Sequence, residues 1–297
     1  MLFQRQKQLL ALLDALGGDM PSLDFQKMLF LHCREQEQPA YEFVPYRFGC
    51  FSFTSYADKR KLISSGILSE IPKRWTLTEE GRRSARKDGM LCLSVGKTAK
   101  QYRGFQGDRL VAETYRIAPY YATRSEMAER LFSSDPAMKA AIEAAAPKAG
   151  KPGICTIGYE GQSLEAYLNI LIRDGVTLLC DVRRNPLSRK YGFSKTVLSN
   201  ACEGLEIRYE HLPELGIDSE ARKDLQTQAD YDALFKDYEL NDLPRQTSAL
   251  DTIRDWVKEG YRVALTCYEH LPCQCHRHCV ADALEDRFGQ RFRPKHL

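Results

Sequence analysis

The sequence has no long apolar run. No stretch reaches the roughly 18 consecutive apolar residues that a membrane-spanning helix requires. The opening segment MLFQRQKQLLALLDALGGDM has apolar residues at helical spacing, but Arg5, Lys7 and Asp14 interrupt it. It therefore differs from a secretory signal, which contains a continuous apolar core. These absences predict a soluble, cytoplasmic protein without a membrane partner.

Several short motifs that identify common enzyme classes are also missing. The sequence contains no Walker loop, no GxGxxG fingerprint and no HExxH zinc motif. The phosphatase spacing of a cysteine, five residues and an arginine is absent as well, because Leu271 stands where Arg277 would require the cysteine. The chain is therefore not assigned to any of these classes.

The composition is that of a globular protein. The 297 residues include 43 basic and 40 acidic side chains, and 43% are apolar, which excludes a disordered chain, a collagen-like repeat and a coiled-coil rod. Residues 1–100 have a net charge of +5 and residues 151–297 of −3. This asymmetry fits a first half that binds a polyanion and a second half that contains a carboxylate-bearing site. Ordinary scatter of charges explains it equally well.

The ten cysteines are expected to be reduced thiols, because a long chain without an export signal is not a disulfide scaffold. Cys155, Cys180 and Cys267 lie in apolar runs, where a thiol behaves as a small hydrophobic group. The cysteines between residues 273 and 279 form a separate cluster.

Residues 1–90 have the pattern of a winged helix. Helices are predicted for residues 2–16, for a segment that Ser22 caps and for residues 54–64, followed by short strands at 67–68 and 75–77. In a winged helix the third helix enters the major groove of DNA and the wing contacts phosphate. Duplex DNA is therefore the expected partner, and a protein-binding module is the alternative. The expected phosphate contacts are Lys59, Arg60, Lys61, Lys73 and Arg74.

The second half of the chain predicts an α/β domain. Residues 91–147 are expected to form a helical connector and residues 148–153 a linker, because PKAGKPG combines prolines and glycines. Apolar strands at 154–158, 177–181, 205–209 and 262–267 then alternate with helices. This alternation predicts a parallel-sheet α/β domain over residues 154–297, preceded by the mainly helical first part.

Carboxylates follow the predicted strands. Glu160, Asp181 and Glu269 are expected on one rim of the sheet, where ligands of open parallel sheets bind, whereas Glu210 follows a strand whose alternating pattern is typical of a sheet edge. Neighbouring carboxylates can divide into an acid and a base. Arg183 and Arg277 would clamp an anion. A structural ion-pair network is the alternative interpretation.

His276 is expected to transfer protons at the start of the last helix, and Cys275 is a candidate nucleophile there. The residues Cys273, Cys275, His276, His278 and Cys279 also raise the possibility of zinc together with Cys267. Side chains crowded on one helix cannot all face one ion, so no metal ligand is assigned.

Four ordered segments carry a family resemblance. TIGYEGQSLEAYLNIL, LLCDVRRNPLSRKYGFSK, IRYEHLPELG and ALTCYEHLPCQCHR resemble the bacterial family named domain of unknown function 488, over residues 154–288. The front half resembles the winged-helix-like extension of some members. The resemblance implies a site but no chemistry. Its residues are Tyr159, Glu160, Asp181, Arg183, Pro186, Ser188, Arg189, Phe193, Lys195, Cys267, Glu269, Cys275, His276 and Arg277.

These observations predict a nucleic-acid-directed hydrolase that acts on DNA, possessing catalytic residues among Asp181, Glu269, Glu160, His276 and Cys275. The remaining family residues would bind substrate. The bond is either glycosidic, as in base excision, or a phosphodiester, in which case the carboxylates would bind Mg²⁺ or Mn²⁺. A role in bacterial defence against foreign or modified DNA would suit this architecture. The alternative functions are a ligand-responsive winged-helix transcription regulator, or an enzyme acting on a free nucleotide.

Overall fold

The chain forms two compact units. The computed structural model describes residues 2–218, 220–222 and 225–297, and the units are residues 1–146 and 147–297. Residues 91–146, set apart above as a connector, are mostly helical and pack within the first unit. In the described residues no helix is both long enough and apolar enough to cross a membrane.

The N-terminal unit consists of helices and short strands. In chain order these are α1 (Gln4–Ala15), β1 (Asp19–Pro21), α2 (Ser22–Arg34), β2 (Val44–Tyr46), β3 (Gly49–Phe51), α3 (Phe53–Ser64), β4 (Arg74–Thr76), α4 (Glu79–Ala85), α5 (Gly89–Gln101), α6 (Gly107–Ile117), α7 (Ala128–Leu131) and α8 (Pro136–Ala145).

Side-chain caps define several of these helices. The Ser52 hydroxyl accepts a hydrogen bond from the Ser55 amide at the start of α3, and Thr78 and Asp88 do the same for α4 and α5. Ser22, by contrast, is the first residue of α2, and Pro21 occupies its cap position. The Ser22 hydroxyl therefore does not cap this helix as the sequence suggested.

Two small antiparallel sheets complete this unit. β1 pairs with β4, and Leu68 forms an isolated bridge with Leu77. β2 and β3 form a hairpin between α2 and α3, in the aromatic segment for which the sequence predicted no strands. The core of the unit contains Phe25 and Trp75, whose ring centroids are 4.8 Å apart.

The C-terminal unit alternates strands with helices. Its elements are β5 (Gly153–Gly158), α9 (Leu164–Arg173), β6 (Leu178–Asp181), α10 (Lys195–Glu203), β7 (Arg208–His211), α11 (Gln228–Asp237), α12 (Thr247–Lys258), β8 (Arg262–Cys267), α13 (Arg277–Phe288) and β9 (Lys295–His296).

The five strands form one parallel sheet in the order β7–β6–β8–β5–β9. The central strands β5, β6 and β8 are almost entirely buried, which explains their continuous apolar sequence. This arrangement confirms the predicted fold class and places β7 at an edge, as its alternating pattern indicated. The carboxyl ends of β5, β6 and β8 lie side by side, and they position the site described next.

Candidate functional site

A cleft of about 330 Å³ lies at the carboxyl ends of the central strands. Its residues come from the ends of β5 and β8, from the loop that follows β6 and from the segment that follows β7. It is lined by Tyr159, Arg183, Arg184, Asn185, Leu187, Ser188, Arg189, Ile217, Cys267, Tyr268 and Glu269. A switch in strand order at this edge is the usual position of ligand sites in open parallel sheets.

Asp181 and Arg183 form a buried ion pair beneath the cleft. Arg183 Nε and Nη2 donate to the two Asp181 carboxylate oxygens at 2.8 and 2.5 Å, and the Tyr209 hydroxyl donates to Asp181 Oδ2 at 2.6 Å. Burial opposes the Arg183 cation, but the contacts with Asp181 outweigh it, and the pKa of Arg183 is raised. Both oxygens of Asp181 are thus already engaged inside the protein.

Arg183 also supports the aromatic wall of the site. Its Nη1 donates to the Tyr159 hydroxyl and to the Phe193 carbonyl oxygen, each at 2.8 Å. The Tyr159 and Phe193 rings are stacked with centroids 4.3 Å apart. Tyr268 meets Tyr159 edge-on and is 44% exposed. It is therefore the aromatic side chain of the cleft that presents a face to a ligand.

The loop after β6 supplies the positive charge. Its course is fixed by internal contacts: the Lys195 amide donates to the Pro186 carbonyl oxygen, the Lys190 amide to the Ser188 hydroxyl, and Lys190 Nζ to the Tyr159 carbonyl oxygen. Arg184 and Arg189 are exposed within the cleft lining. These two arginines, rather than the buried Arg183, present guanidinium groups to solvent.

Glycine allows the loops around the cleft to approach one another. At Gly216 an added Cβ would collide with the Arg184 backbone, and at Gly158 it would collide with the Glu269 carbonyl oxygen. The segment after β8 is further held by Arg277, which is fully buried and donates to the carbonyl oxygens of Glu269 and His270 at 2.5 and 2.8 Å. Arg277 thus positions Glu269 instead of facing a ligand.

The three predicted rim carboxylates occupy different environments. Glu269 is half-buried and lines the cleft. Glu160 is exposed, lies outside the cleft lining and accepts a hydrogen bond from the His270 amide at 3.0 Å. Asp181 is buried beneath the cleft. Of these three, Glu269 is the carboxylate that a ligand in the cleft would meet.

Cysteine and histidine side chains meet behind Glu269. Cys267 Sγ lies 3.6 Å from Glu269 Oε2 and 3.7 Å from His276 Nδ1. His276 Nε2 lies 2.9 Å from the Val182 carbonyl oxygen. Burial raises the pKa of the Cys275 thiol well above its usual value, and the neighbouring Cys267 adds to this shift. This burial disfavours the thiolate form that a nucleophilic Cys275 would need.

Some residues of the predicted site were assigned to it because of their sequence segment alone. Phe193 is fully buried, and exposed Lys195 lies 3.2 Å from His211 Nδ1, outside the cleft lining. Conversely, Arg184, Asn185, Leu187, Ile217 and Tyr268 line the cleft but were not predicted. Four of these five lie inside the motif segments DVRRNPLSR and CYEH, so their position between predicted residues was the available signal.

The predicted phosphate contacts of the N-terminal unit divide into two groups. Lys59 is buried, its Nζ donates to the Arg74 carbonyl oxygen, and burial lowers its pKa. The Arg74 side chain forms a bidentate ion pair with Asp19 at 2.6 and 2.9 Å. Arg60, Lys61 and Lys73 are exposed. Lys59 therefore stabilises the fold and does not offer the phosphate contact that was expected of it. For Arg60, Lys61 and Lys73, phosphate contact stays a prediction.

A larger groove of about 1150 Å³ lies in the N-terminal unit. Its lining is mainly apolar, with Leu2, Phe3 and Met90 among its members, and it includes Lys7, Lys61 and Lys87. It offers apolar contact and positive charge, and among the predicted site residues it includes Lys61 alone.

The fold and the site define a two-unit protein with an α/β domain whose cleft lies at the carboxyl ends of parallel strands. Residues 163–284 match the family model described as Domain of unknown function DUF488, and this match confirms the resemblance that the motifs of the C-terminal unit indicated. Tyr159 and Glu160 precede the matched residues, and the N-terminal unit lies outside them. No curated protein and no solved structure matches the chain.

Proposed function

We propose that the protein is a hydrolase directed to DNA, and that it cleaves the glycosidic bond of a nucleoside in the cleft of the C-terminal unit. One observation carries this proposal. Glu269 lines a cleft whose lining also includes Tyr268, which is 44% exposed, and the exposed residues Arg184 and Arg189.

These groups match the parts of a nucleotide. Tyr268 offers an aromatic face on which a base can stack, and the two arginines can hold the flanking phosphates. A base inside a duplex would have to leave the stack to reach the cleft, which is the way enzymes that act on bases gain access to them. The cleft volume of about 330 Å³ is compatible with one nucleoside unit.

Glu269 is assigned as the general base. Its carboxylate takes a proton from a water molecule while the water oxygen forms a bond to the anomeric carbon of the sugar. The bond between that carbon and the base breaks, and the base leaves with the bonding electron pair and then acquires a proton. The negative carboxylate also stabilises the positive charge that develops on the sugar in the transition state.

Asp181 and Arg183 are positioning residues in this scheme. Both carboxylate oxygens of Asp181 accept hydrogen bonds from Arg183 or Tyr209, and the Arg183 guanidinium is shared among Asp181, Tyr159 and Phe193. The pair fixes the wall on which the substrate would lie. A nuclease that uses Mg²⁺ or Mn²⁺ is less well supported, because Glu269 is the single member of the predicted rim carboxylates that lines the cleft.

We further infer that residues 1–90 contact the DNA as a winged helix. The order of α1, β1, α2, α3 and β4, with the β2–β3 hairpin between α2 and α3, supports this assignment, as does the isolated bridge between Leu68 and Leu77 next to β4. The exposed residues Arg60 and Lys61 on α3 and Lys73 before β4 are suitable phosphate contacts.

The test uses end-labelled duplex DNA, plain and base-modified, incubated with the full chain with and without EDTA. Half of each reaction is heated in alkali before a denaturing gel. Breaks that require alkali are expected, because removal of a base leaves an alkali-labile sugar. Glu269→Gln should lower the rate at least 100-fold, since a general base contributes about 10²–10⁴-fold. Glu210→Gln, a partially exposed carboxylate paired with Arg208 on β7 and outside the cleft lining, is the matched control.

Other outcomes would assign a different function. Direct breaks without alkali, lost with EDTA and restored by Mg²⁺, would identify a metal-dependent nuclease. Intact DNA in every lane together with a clean gel shift would favour the transcription regulator. Equal rates for Glu269→Gln and the control would show that the catalytic carboxylate is elsewhere.

A further inference from the structure

Three side chains of metal-ligand type meet at the end of β8. The Sγ atoms of Cys267 and Cys275 and a ring nitrogen of His276 all lie within 4.8 Å of one another, and each of these residues is at most 1% exposed. We propose that Cys267, Cys275 and His276 bind a Zn²⁺ ion, with Glu269 beside its fourth coordination position.

The distance between Cys267 and His276 is close to that between two ligands of a tetrahedral zinc site. With Zn–S bonds of about 2.3 Å and Zn–N bonds of about 2.0–2.1 Å, sulfur and nitrogen ligands are about 3.5 Å apart. Cys267 Sγ and His276 Nδ1 are 3.7 Å apart. Since all three ligand atoms lie within 4.8 Å of one another, an ion could bind between them with side-chain shifts of about an ångström or less.

The orientation of His276 also fits a ligand. A carbonyl oxygen only accepts hydrogen bonds, so the 2.9 Å contact with Val182 places the ring proton on Nε2. The Nδ1 lone pair is then directed towards Cys267. Zinc-binding histidines generally donate their second ring N–H to a carbonyl or carboxylate in this way, which fixes the tautomer and the ring plane.

The sequence argued against zinc because side chains crowded on one helix cannot all face one ion. The local backbone shows that these ligands do not lie on one helix. Residues Pro272–Gln274 form a short 3₁₀ turn, Cys275 is extended, and α13 begins only at Arg277. Cys275 and His276 thus precede the helix and can face β8 together. Cys273 is exposed, and His278 and Cys279 belong to a second group with Glu239, so the crowded segment supplies two ligands to this site.

The fourth position of the ion would face the cleft. Glu269 Oε2 lies 3.6 Å from Cys267 Sγ, and both residues line the cleft. Three protein ligands with an open position are typical of catalytic zinc, which lowers the pKa of a bound water to about 7. The zinc site stands independently of the hydrolase proposed above, although it would supply that reaction with an activated water next to Glu269.

The test measures metal in the full-length protein without any substrate. Protein expressed with added zinc and passed over a gel-filtration column should contain about one zinc per chain. The cobalt(II)-substituted protein should show thiolate-to-cobalt charge-transfer absorption. Cys275→Ser and His276→Gln should each lower zinc retention at least tenfold, in line with the loss of a ligand, whereas Cys273→Ser, an exposed neighbour outside the cluster, should retain it.

Zinc affinity is also measured on the wild-type chain, by competition with a chromophoric chelator. The proposed site can therefore be tested even if a variant fails to fold. Three results would overturn the site: substoichiometric zinc without cobalt absorption, zinc that Cys273→Ser loses equally, or a protein isolated with a Cys267–Cys275 disulfide. A chain that binds zinc but leaves DNA intact would refute the hydrolase and keep the zinc site. A chain that removes bases from DNA but binds no zinc would refute the zinc site and keep the hydrolase.

Discussion

The ion pair between Asp181 and Arg183 determines how the cleft wall is built. Both side chains are almost completely enclosed, and the carboxylate holds the guanidinium that in turn contacts Tyr159 and the Phe193 carbonyl. Removing one partner of a buried pair leaves an uncompensated charge in a medium of low dielectric constant. The effect on stability should therefore far exceed that of an exposed pair.

Asp181→Asn is expected to lower the free energy of unfolding of the C-terminal unit by about 3–5 kcal/mol. An amide cannot balance the Arg183 charge, and its NH₂ group would face the N–H donors of the guanidinium. Urea unfolding followed by the fluorescence of Trp256, in a Trp75→Phe background that removes the other tryptophan, measures the change.

The matched control is Glu210→Gln, which removes the partially exposed pair with Arg208 on the neighbouring strand. Such pairs contribute about 0–1 kcal/mol, so its unfolding midpoint should stay close to wild type. Equal losses for the two variants would contradict the structural role given to Asp181.

Sequence reasoning at the residue scale found the segments of the site but not the function of each side chain. It placed Asp181 and Glu269 together at strand ends, which the parallel sheet explains. It could not distinguish them, because the partners that occupy Asp181 come from another strand and from the loop after β6. Lys59 shows the same limit: its buried contact with the Arg74 carbonyl depends on the pairing of β4 with β1.

His32 connects three helices of the N-terminal unit. Its Nε2 lies 2.9 Å from the amide nitrogens of Gln8 on α1 and Gln36 after α2, and its Nδ1 lies 2.9 Å from Thr98 Oγ1 on α5. Because amide nitrogens donate, Nε2 must accept, and the ring is neutral. Burial lowers the pKa of His32 below its usual value of about 6.5.

This lowered pKa predicts that the N-terminal unit loses stability in acid. Below about pH 6.5 the unfolded chain binds a proton at His32, whereas the folded chain disfavours the protonated ring. The stability that depends on neutral His32 is therefore fully present above pH 6.5 and is lost as the pH falls. The slope from this group is at most about 1.4 kcal/mol per pH unit. Urea unfolding between pH 5 and 7.5, followed by the fluorescence of Trp75 in a Trp256→Phe background, should show the free energy of unfolding decrease as the pH falls.

His32→Gln serves as the comparison, because it keeps a polar side chain without a titratable ring. Its stability at pH 7.5 should be lower than that of the wild type, but its dependence on pH should be weaker. Identical slopes for the two proteins would assign the acid sensitivity to other groups.

Elements with a strong periodic pattern were predicted well, and elements that depend on a local turn were not. β8 has the predicted bounds, whereas β7 begins three residues later than expected. The reason is Glu206, which adopts a left-handed conformation with φ of 57°. It breaks the apparent strand between Leu205 and Ile207, which are both buried in the segment that joins α10 to β7. β9 has only two residues, too few to form a pattern.

At the scale of the whole molecule, charge is divided between the two units. Residues 1–146 contain 22 basic and 17 acidic side chains, a net +5, and residues 147–297 contain 21 and 23, a net −2. A polyanion should therefore be attracted to the N-terminal unit and only weakly to the other. The exposed basic residues of α3 and of the segment before β4 are the expected contacts.

The affinity of the full chain for duplex DNA should consequently fall steeply with salt, and it should do so through those residues. Each phosphate contact contributes about 0.9 to the slope of log affinity against log salt. Replacing Arg60, Lys61 and Lys73 by alanine should reduce the slope by about that amount per contact, weakening binding for all sequences alike. Fluorescence anisotropy with labelled duplexes at several salt concentrations gives both the affinity and the slope.

Alanine at Lys236, Lys258 and Arg291, which are exposed on the C-terminal unit, removes the same net charge and should leave the slope nearly unchanged. If both triple variants lowered the slope equally, the effect would reflect total charge, and a localised DNA-binding surface on the N-terminal unit would be refuted.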